Sequence, residues 1–362
     1  MIRNFNQWVK NRTMGHVLPL ELILFVTNRC NLKCRHCFIN DFGTDSAMAD
    51  LDLKSIEMLS SDLPNLLVLM LTGGEPFLRD DFSEIIRIFS TNSNIEVISV
   101  VTNGFLKDKI SQAVECVLSH PKFRSTFIVT ISFDGIGKDH DSIRGRKGAY
   151  QNALETAGEL KKLQKNFPEL IVSANITLTD FNEKKILNVA RELADTNLFS
   201  SLSQNIFREM KPRHAFKKVD LNVYRELTEF TSIYSKGLKI DQSSFFSKWH
   251  HLKERYQAML IEKTCQTNSY QNIPCEAGRG IGVVYQDGSV APCELLEAGW
   301  GNIKEKSFAD IWNNKINRKA SDELRSSKCF CTHECFQSAS LNLQAKSVLN
   351  CLNWNLFKDH KK

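Results

Sequence analysis

The sequence predicts an α/β fold built on a parallel sheet, and three observations lead to that prediction. Six short apolar runs recur along the chain, and each is followed by a stretch with helical periodicity. The first run is almost continuously apolar, which is typical of strands buried on both faces in parallel sheets. Polar or glycine-rich residues end the runs, as they do at the active-site edge of α/β barrels. The right-handed crossover rule for parallel strands is compatible with a partial barrel and with a doubly wound open sheet. The hydrophobic period and the length of the segments do not distinguish these two folds.

The predicted elements alternate from residue 20 onward. Strands are predicted at 20–26, 66–71, 96–101, 126–131, 170–177 and 201–207, and helices around 53–59, 111–118, 149–162 and 183–193. Another helix follows the second strand and carries the apolar residues Phe82, Ile85, Ile86 and Ile88. Residues 1–18 are interpreted as a helical lead-in, and residues 216–262 as a helical connector of two amphipathic stretches. A chain of 362 residues predicts a main domain and a smaller second one.

The composition is that of a globular protein with a sizeable core. Hydrophobic residues make up 42% of the chain and charged residues 24%, so nothing in the composition indicates disorder. The net charge of +6 is mild, and the basic runs at 211–218 and 358–362 are interpreted as solvated faces rather than nucleic-acid sites. No apolar run reaches the roughly 18 residues of a membrane span, and no signal peptide is recognisable. We therefore expect a cytoplasmic protein without membrane or nucleic-acid partners.

The eleven cysteines are clustered along the chain. Without an export signal, they argue for thiolates that bind metal or stay reduced, and against a disulfide framework. Three of them lie at Cys30, Cys34 and Cys37, directly after the first predicted strand, and seven lie between Cys265 and Cys351. Cys116 stands alone and is expected to be a small buried hydrophobe.

A motif follows each of the first four predicted strands. In order, they are Cys30, Cys34 and Cys37 in a C-x3-C-x2-C spacing, then Gly73-Gly74-Glu75-Pro76, then Thr102-Asn103-Gly104, and then Ser132-Phe133-Asp134-Gly135. Together they resemble the radical S-adenosylmethionine (SAM, or AdoMet) superfamily, over about residues 20–213. The resemblance implies a partial (β/α)6 TIM-like barrel over residues 19–215.

The resemblance also implies the cofactor chemistry. Three thiolates hold a [4Fe-4S] cluster with one iron left open, which AdoMet chelates. One electron, from a flavodoxin- or ferredoxin-type donor, then cleaves AdoMet to a 5'-deoxyadenosyl radical. The alternative for these cysteines is a zinc site, for which His36 is a poor fourth ligand because it lies between two of them. We expect the flat ring of His36 to pack near the cluster.

Further residues are expected to bind AdoMet. Gly73 and Gly74 would let the backbone approach the methionine end, because no side chain intervenes. By resemblance, Glu75 would accept a hydrogen bond from the AdoMet amino group. The candidates for the carboxylate or ribose are Ser132, Asp134 and Arg144. Weaker candidates for the adenosine end are Asn175, Thr177 and Thr179. Asn103 has a turn-forming alternative, and Arg144 has a surface ion pair as its alternative.

The second cysteine group resembles a SPASM or twitch extension, assigned to residues 263–340. Cys275, Gly288 and Cys293 match its opening, and a hairpin is predicted at 281–291 around Asp287-Gly288. The spacing of Cys329, Cys331 and Cys335 departs from the full SPASM pattern. We therefore expect one auxiliary [4Fe-4S] cluster, held by Cys275, Cys293 and two or three of those three cysteines. Cys265 and Cys351 are candidates for a second cluster, and a four-thiolate zinc site is the alternative. Residues 341–362 are assigned as a C-terminal tail.

Glu294, directly after Cys293, is the candidate catalytic base, because an acidic residue stands at this place in sulfatase-maturing relatives. A salt bridge is the alternative role. Cys265 would be a hydrogen-atom donor if the reaction were an epimerisation. The sequence thus predicts a radical SAM oxidoreductase or maturase that modifies a ribosomal peptide or protein side chain. The alternatives are a dehydrogenase or epimerase of a sugar or cyclitol, and a non-catalytic iron-sulfur or zinc protein. Since the barrel starts near residue 20, no peptide-recognition or cobalamin domain is expected before it.

Overall fold

A nine-stranded sheet organises the fold. The computed structural model describes residues 18–37, 49–207, 219–237, 245–296 and 299–358. The strands are β1 (Glu21–Thr27), β2 (Val68–Gly73), β3 (Val97–Thr102), β4 (Thr126–Ser132), β5 (Leu170–Leu178), β6 (Ser201–Ile206), β7 (Ile281–Val284), β8 (Ser289–Ala291) and β9 (Gly301–Asn302). Their order in the sheet is β6-β5-β4-β3-β2-β1-β7-β8-β9. Strands β1 to β6 are all parallel, and each neighbours the next along the chain.

Helices separate the parallel strands, as predicted. They are α1 (Leu53–Ser61), α2 (Phe82–Asn92), α3 (Lys107–Leu118), α4 (Lys138–Arg144), α5 (Ala149–Leu163), α6 (Ile186–Asp195), α7 (Leu221–Gly237), α8 (Phe245–Thr267), α9 (Phe308–Trp312), α10 (Lys315–Ser326), α11 (Glu334–Asn342) and α12 (Ala345–Lys358). The alternation confirms the predicted α/β class and is that of a partial (β/α)6 barrel. Within the described ranges, none of the helices has the length and apolar character that a bilayer span requires.

Strand β1 lies at the centre of the core. All seven of its residues are buried, as the continuous apolar run predicts. Successive side chains of a strand point to opposite faces, so Leu22 and Leu24 join one hydrophobic cluster with the barrel helices. Ile23 and Phe25 join a second cluster, which contains residues of the C-terminal part. One strand therefore supports both halves of the molecule.

The C-terminal hairpin extends the barrel sheet. Strand β7 pairs in parallel with β1, from Glu21 with Ile281 to Leu24 with Val284. Strand β8 then pairs antiparallel with β7, and the turn between them has Gly288 at φ +91°, as the predicted Asp-Gly turn requires. The hairpin is confirmed, whereas its pairing with β1 was not predicted.

Three helices form a layer beside the hairpin. Tyr256 and Leu260 of α8 pack with Leu341 of α11 and Cys351 of α12 in one buried cluster. The predicted connector and the predicted tail thus contribute to the same packed layer, while the exact domain boundaries stay predictions. The lead-in at 1–17 lies outside the described residues. Cys116 lies on the exposed face of α3, so the expectation of a buried cysteine is wrong.

Candidate active site

The first cysteine group forms a loop at the carboxyl end of β1. Cys30 is exposed, while Cys34 and Cys37 are partly buried. The backbone amide of Leu32 donates to the sulfur of Cys30 over 3.4 Å. Burial raises the pKa of the Cys30 thiol to about 11, with smaller contributions from nearby acidic groups. Metal binding at such thiols replaces the proton, because only the thiolate is a ligand.

A second loop supports the cysteine loop. The amides of Lys33 and Arg35 donate to the carbonyl oxygens of Arg144 and Ile143, over 3.2 and 2.9 Å. Gly145 follows at φ +67°, and a Cβ there would lie 2.3 Å from the carbonyl oxygen of Lys33. Only glycine permits both this backbone conformation and this contact. Sequence reasoning missed Gly145, although a glycine directly after a candidate binding arginine was a usable signal.

The glycines of the second motif have a structural role that the sequence analysis did not predict. A Cβ on Gly73 would lie 2.1 Å from the carbonyl oxygen of Thr27, and one on Gly74 would lie 2.1 Å from that of Arg29. The amide of Gly74 also donates to the carbonyl oxygen of Thr27 over 2.8 Å. The missing side chains therefore make room for the cysteine loop itself, in addition to any approach of a cofactor.

The Glu75 side chain is buried and hydrogen-bonded within the protein. Its side chain is fully buried, and its oxygens accept hydrogen bonds from the Thr102 hydroxyl, the Asn103 amide and the Phe77 amide, over 2.8, 2.8 and 3.3 Å. Burial raises the pKa of Glu75 to about 7, although these hydrogen bonds oppose the shift. These contacts tie Glu75 to the end of β3. Its expected contact with the AdoMet amino group stays a prediction, since three donors leave part of the carboxylate's accepting capacity open.

Asp134 is likewise engaged within the protein, and its expected role in cofactor binding stays a prediction. It is fully buried, and its carboxylate lies 2.6 Å from a guanidinium nitrogen of Arg144 and 3.3 Å from Nε2 of His36. It also accepts the Thr177 amide over 3.1 Å. Burial opposes ionisation, but Arg144 and His36 hold the pKa of Asp134 below its usual range. Arg144 therefore does form an ion pair, but a buried one, and its other guanidinium nitrogen lies 3.8 Å from the sulfur of Cys34.

One cavity of about 370 Å³ collects most of the predicted site. Its lining includes Cys30, Cys34, Cys37, Gly73, Gly74, Asn103, Ser132, Arg144, Asn175, Thr177 and Glu294. Glu75, Asp134, Thr179 and Cys265 are not part of that lining. His36 lines the cavity, and its ring lies 6.0 Å from the rings of both Phe181 and Phe207, as expected of a packing residue. Asn205 at the end of β6 also lines it and was missed, because polar residues on an edge strand usually face solvent.

The cavity has features that fit a polar cofactor. Its volume lies within the range of small-molecule sites, about 300–1,000 Å³. Among the described residues, Arg144 Nε and His36 Nδ1 are buried polar atoms without a hydrogen-bond partner. Buried polar atoms are rarely left unpaired in a complete site. The side-chain amide of Asn103 donates to the side-chain oxygen of Asn31 over 2.8 Å. The side-chain oxygen of Asn103 accepts from the backbone amide of Phe105 over 2.9 Å, a contact typical of a turn, and the residue also lines the cavity.

Glu294 joins this cavity to the second cysteine group. Its carboxylate lies 2.8 Å from Nε2 of His333, and both side chains are buried. His333 stands between Cys331 and Cys335, and its ring packs edge-on against Phe336 at 4.8 Å. Glu294 thus lines the cavity and contacts His333, while its role as catalytic base stays a prediction. His333 was not predicted, because its partner lies 39 residues away in sequence.

The second cysteine group shares the geometry of the first. The sulfurs of Cys275, Cys293 and Cys331 each accept the amide two residues later, over 3.4–3.5 Å. Burial raises the pKa of Cys275 to about 12 and that of Cys293 well above its ordinary value, with Cys331 close to both. A smaller cavity is lined by Cys275, Cys329 and Cys331. Within the described ranges, no three His, Cys, Asp or Glu side chains are grouped as around a single metal ion.

Two family models match the chain. The Radical SAM superfamily model matches residues 24–193, and the SPASM iron-sulfur cluster-binding domain model matches residues 275–336. The protein belongs to the radical SAM superfamily. Its N-terminal barrel is thus a radical SAM domain, and its C-terminal part contains a SPASM domain. The cofactors of these domains are AdoMet and iron-sulfur clusters.

Known relatives differ in their substrates. The sporulation killing factor maturation protein SkfB of Bacillus subtilis is 25% identical over 88% of this chain and 70% of its own length. An AdoMet-dependent heme synthase of Methanosarcina barkeri is 28% identical over 84% of this chain and 85% of its own length. Among solved structures, Streptococcus suis SuiB bound to S-adenosylmethionine gives a TM-score of 0.58 at 19% identity, over 94% of this chain and 74% of SuiB. That last likeness shows the fold alone.

Proposed function

We propose that this radical SAM enzyme is a maturase that modifies a ribosomal peptide or a protein side chain. The main support is that one cavity joins the three N-terminal cysteines, the glycine motif and Glu294. A site for radical formation and an acid next to the SPASM cysteines therefore adjoin the same space. A substrate in that space would reach both.

The N-terminal cluster would be held by Cys30, Cys34 and Cys37, next to AdoMet. These two groups, when bound, supply a 5'-deoxyadenosyl radical that removes a hydrogen atom from the substrate. The chain's own part is to bind and orient. The Nε atom of Arg144 has no hydrogen-bond partner within the protein and could donate to the AdoMet carboxylate. Ser132 lines the same cavity. Asn175 suits the ribose or adenosine end. Its side-chain amide nitrogen lies 3.4 Å from the side-chain oxygen of Asn205.

Glu294 is the proposed base. It would take the proton that a substrate loses when it is oxidised, and the contact with His333 Nε2 keeps its carboxylate in a fixed orientation. The auxiliary cluster would be held by Cys275, Cys293, Cys329 and Cys331, which gives the four thiolates of a closed site. Cys335 is then the spare cysteine, and it lies with Cys351 near the buried ammonium of Lys253.

The choice of a peptide rests on SkfB, a maturation protein, and is supported by SuiB, which was also solved with its precursor peptide SuiA. A second candidate is modification of a tetrapyrrole, because the heme synthase relative matches over most of its own length. Modification of a sugar or cyclitol is the alternative that rests on the sequence resemblance.

The test is anaerobic reconstitution followed by AdoMet and reductant without substrate. The proposal predicts 5'-deoxyadenosine from the native protein and none from Cys34→Ala. Cys335→Ala should keep most of this activity, and Glu294→Gln should keep all of it while losing product formation with substrate. No 5'-deoxyadenosine from protein with intact clusters would refute the enzyme assignment. Conversion of iron coproporphyrin in place of a precursor peptide would decide for the tetrapyrrole.

A further inference from the structure

Arg144 is a buried cation beside a sulfur of the first cysteine group. It is the last residue of α4, and its side chain is only 9% exposed. One terminal guanidinium nitrogen lies 3.8 Å from the sulfur of Cys34, a hydrogen-bond distance for a sulfur acceptor. The other terminal nitrogen lies 2.6 Å from the carboxylate of Asp134. Because arginine keeps its charge when buried, a permanent positive charge stands against the Cys34 sulfur.

Backbone contacts fix the position of this cation. The carbonyl oxygens of Ile143 and Arg144 accept the amides of Arg35 and Lys33, over 2.9 and 3.2 Å. These two donors are the residues on either side of Cys34. The end of α4 is thus bonded to the cysteine loop at the very point where the guanidinium meets the sulfur.

The carboxylate that pairs with Arg144 is fixed as well. Asp134 is fully buried, accepts the backbone amide of Thr177 over 3.1 Å, and lies 3.3 Å from Nε2 of His36. The backbone amide of Asp134 donates to Nδ1 of the buried His140 over 3.2 Å. A carboxylate held in this way keeps the guanidinium in the orientation that faces the sulfur.

At the Cys34 sulfur, the cation outweighs the anion. Arg144 contacts the sulfur directly, whereas Asp134 contacts the other terminal nitrogen of the guanidinium. The electrostatic influence of Arg144 on the Cys34 thiol is accordingly larger than that of Asp134. The ion pair therefore acts on the first cysteine group as a dipole whose positive end lies towards the sulfur.

Binding of AdoMet does not account for the contact with sulfur. The guanidinium nitrogen proposed to meet the AdoMet carboxylate is Nε, which has no partner within the protein, whereas a different nitrogen meets Cys34. Reduction adds one negative charge to a cluster that three thiolates already make anionic. Hydrogen bonds to the ligand sulfurs and the local net charge are two of the factors that set the reduction potential of such clusters.

We propose that Arg144 raises the reduction potential of the first cluster, and that Asp134 holds Arg144 in place and limits the size of this effect. The inference rests on the proposed function, because AdoMet is cleaved only by the reduced cluster. The electron comes from an external one-electron reductant, which is oxidised as the cluster is reduced. No bond to Arg144 forms or breaks. Arg144 stabilises the reduced form through Cys34 and is in this respect a positioning residue.

The test is a redox titration of the reconstituted holoenzyme without AdoMet or substrate, followed by electron paramagnetic resonance. The first cluster is identified as the signal that Cys34→Ala lacks, and the auxiliary cluster is the internal reference. Arg144→Gln removes the cation, and Asp134→Asn removes the anion. Lys147→Gln is the matched control, because it removes a positive charge from the same loop at an exposed residue.

Arg144→Gln should lower the ratio of reduced to oxidised first cluster at a given potential by about tenfold, which is about 59 mV for one electron. Asp134→Asn should raise the same ratio by about 3- to 10-fold. Lys147→Gln should leave it unchanged, since water screens an exposed charge. The potential of the auxiliary cluster should be the same in all variants. Shifts in the same direction in Arg144→Gln and Asp134→Asn overturn the proposal, because loosening of the site does not depend on the sign of the lost charge. An equal shift in Lys147→Gln overturns it too.

A double variant decides the question if a single variant loses the cluster. Asp134→Asn combined with Arg144→Met leaves no uncompensated buried charge, so its cost in stability is smaller. The ratio of reduced to oxidised first cluster should still fall, by about 3-fold, because the larger of the two influences on the sulfur is lost. An unchanged ratio in the double variant overturns the proposal. The proposed function fails separately, if native protein with a reduced first cluster forms no 5'-deoxyadenosine when AdoMet is added.

Discussion

Replacement of Gly145 by alanine should remove the first cluster while leaving the second. An alanine in the left-handed conformation costs about 1–2 kcal/mol. The new Cβ would also lie 2.3 Å from the Lys33 carbonyl oxygen, so the two loops must separate. Losing the two backbone hydrogen bonds between them costs about 1 kcal/mol each, for a total of about 3–4 kcal/mol.

The consequence reaches Cys34, because the bonded residues Lys33 and Arg35 flank it. Iron per chain after anaerobic reconstitution should fall from about eight to about four, the count of one remaining four-iron cluster. Formation of 5'-deoxyadenosine should fall with it. Gly148→Ala is the matched control, since Gly148 has φ +81° but only a side-chain atom of Asn152 at 3.5 Å. It should share the conformational cost and keep both clusters. Equal iron in the two variants would refute the role assigned to this loop pairing.

Three further predictions concern stability. Asp134→Asn should destabilise the fold by about 3–5 kcal/mol in denaturant unfolding, because it leaves a buried arginine without its counter-charge; a loss below about 1 kcal/mol would contradict this. Burial raises the pKa of Glu21 to about 7, with opposing contributions from a nearby lysine and a hydrogen bond. The folded state therefore binds this proton more tightly than the unfolded state, and stability falls as pH rises from about 4.5 to about 7, by roughly 3 kcal/mol for this group. Glu21→Gln should flatten the profile between about pH 5 and about pH 8, and an unchanged slope would exclude this assignment. Gly282→Ala should lower Tm through a contact of 2.3 Å with the Trp312 ring, at a cost of about 1–3 kcal/mol, whereas Gly158→Ala, with open space, should not.

The barrel strands were predictable because their signal is local. Apolar runs bounded by polar motifs gave all six parallel strands to within about two residues, as with 170–177 against Leu170–Leu178. The same holds for the cysteine loop after β1 and for Ser132 at the end of β4, because the carboxyl ends of parallel strands meet at one edge of the sheet.

The contacts that decide residue roles were not predictable in this way. The three donors to Glu75 come from its own turn and from the end of β3, and two of them lie 27 or more residues away in sequence. The pairing of Gly73 and Gly74 with the cysteine loop, and of Gly145 with Lys33, consists of backbone contacts that leave no side-chain pattern. His333 reaches Glu294 only because the second cysteine group folds back onto the hairpin.

The parallel pairing of β1 with β7 has a consequence for biosynthesis. Strand β1 is translated about 260 residues before the strand that completes its hydrogen bonding, so the nascent barrel must wait with one edge open. An unpaired edge carrying apolar side chains such as Ile23 and Phe25 is a template for aggregation. Truncation before residue 281 should therefore give insoluble protein rather than an isolated barrel. Slow translation of the C-terminal part, or termination of translation before β7 is made, would expose the same edge in the cell.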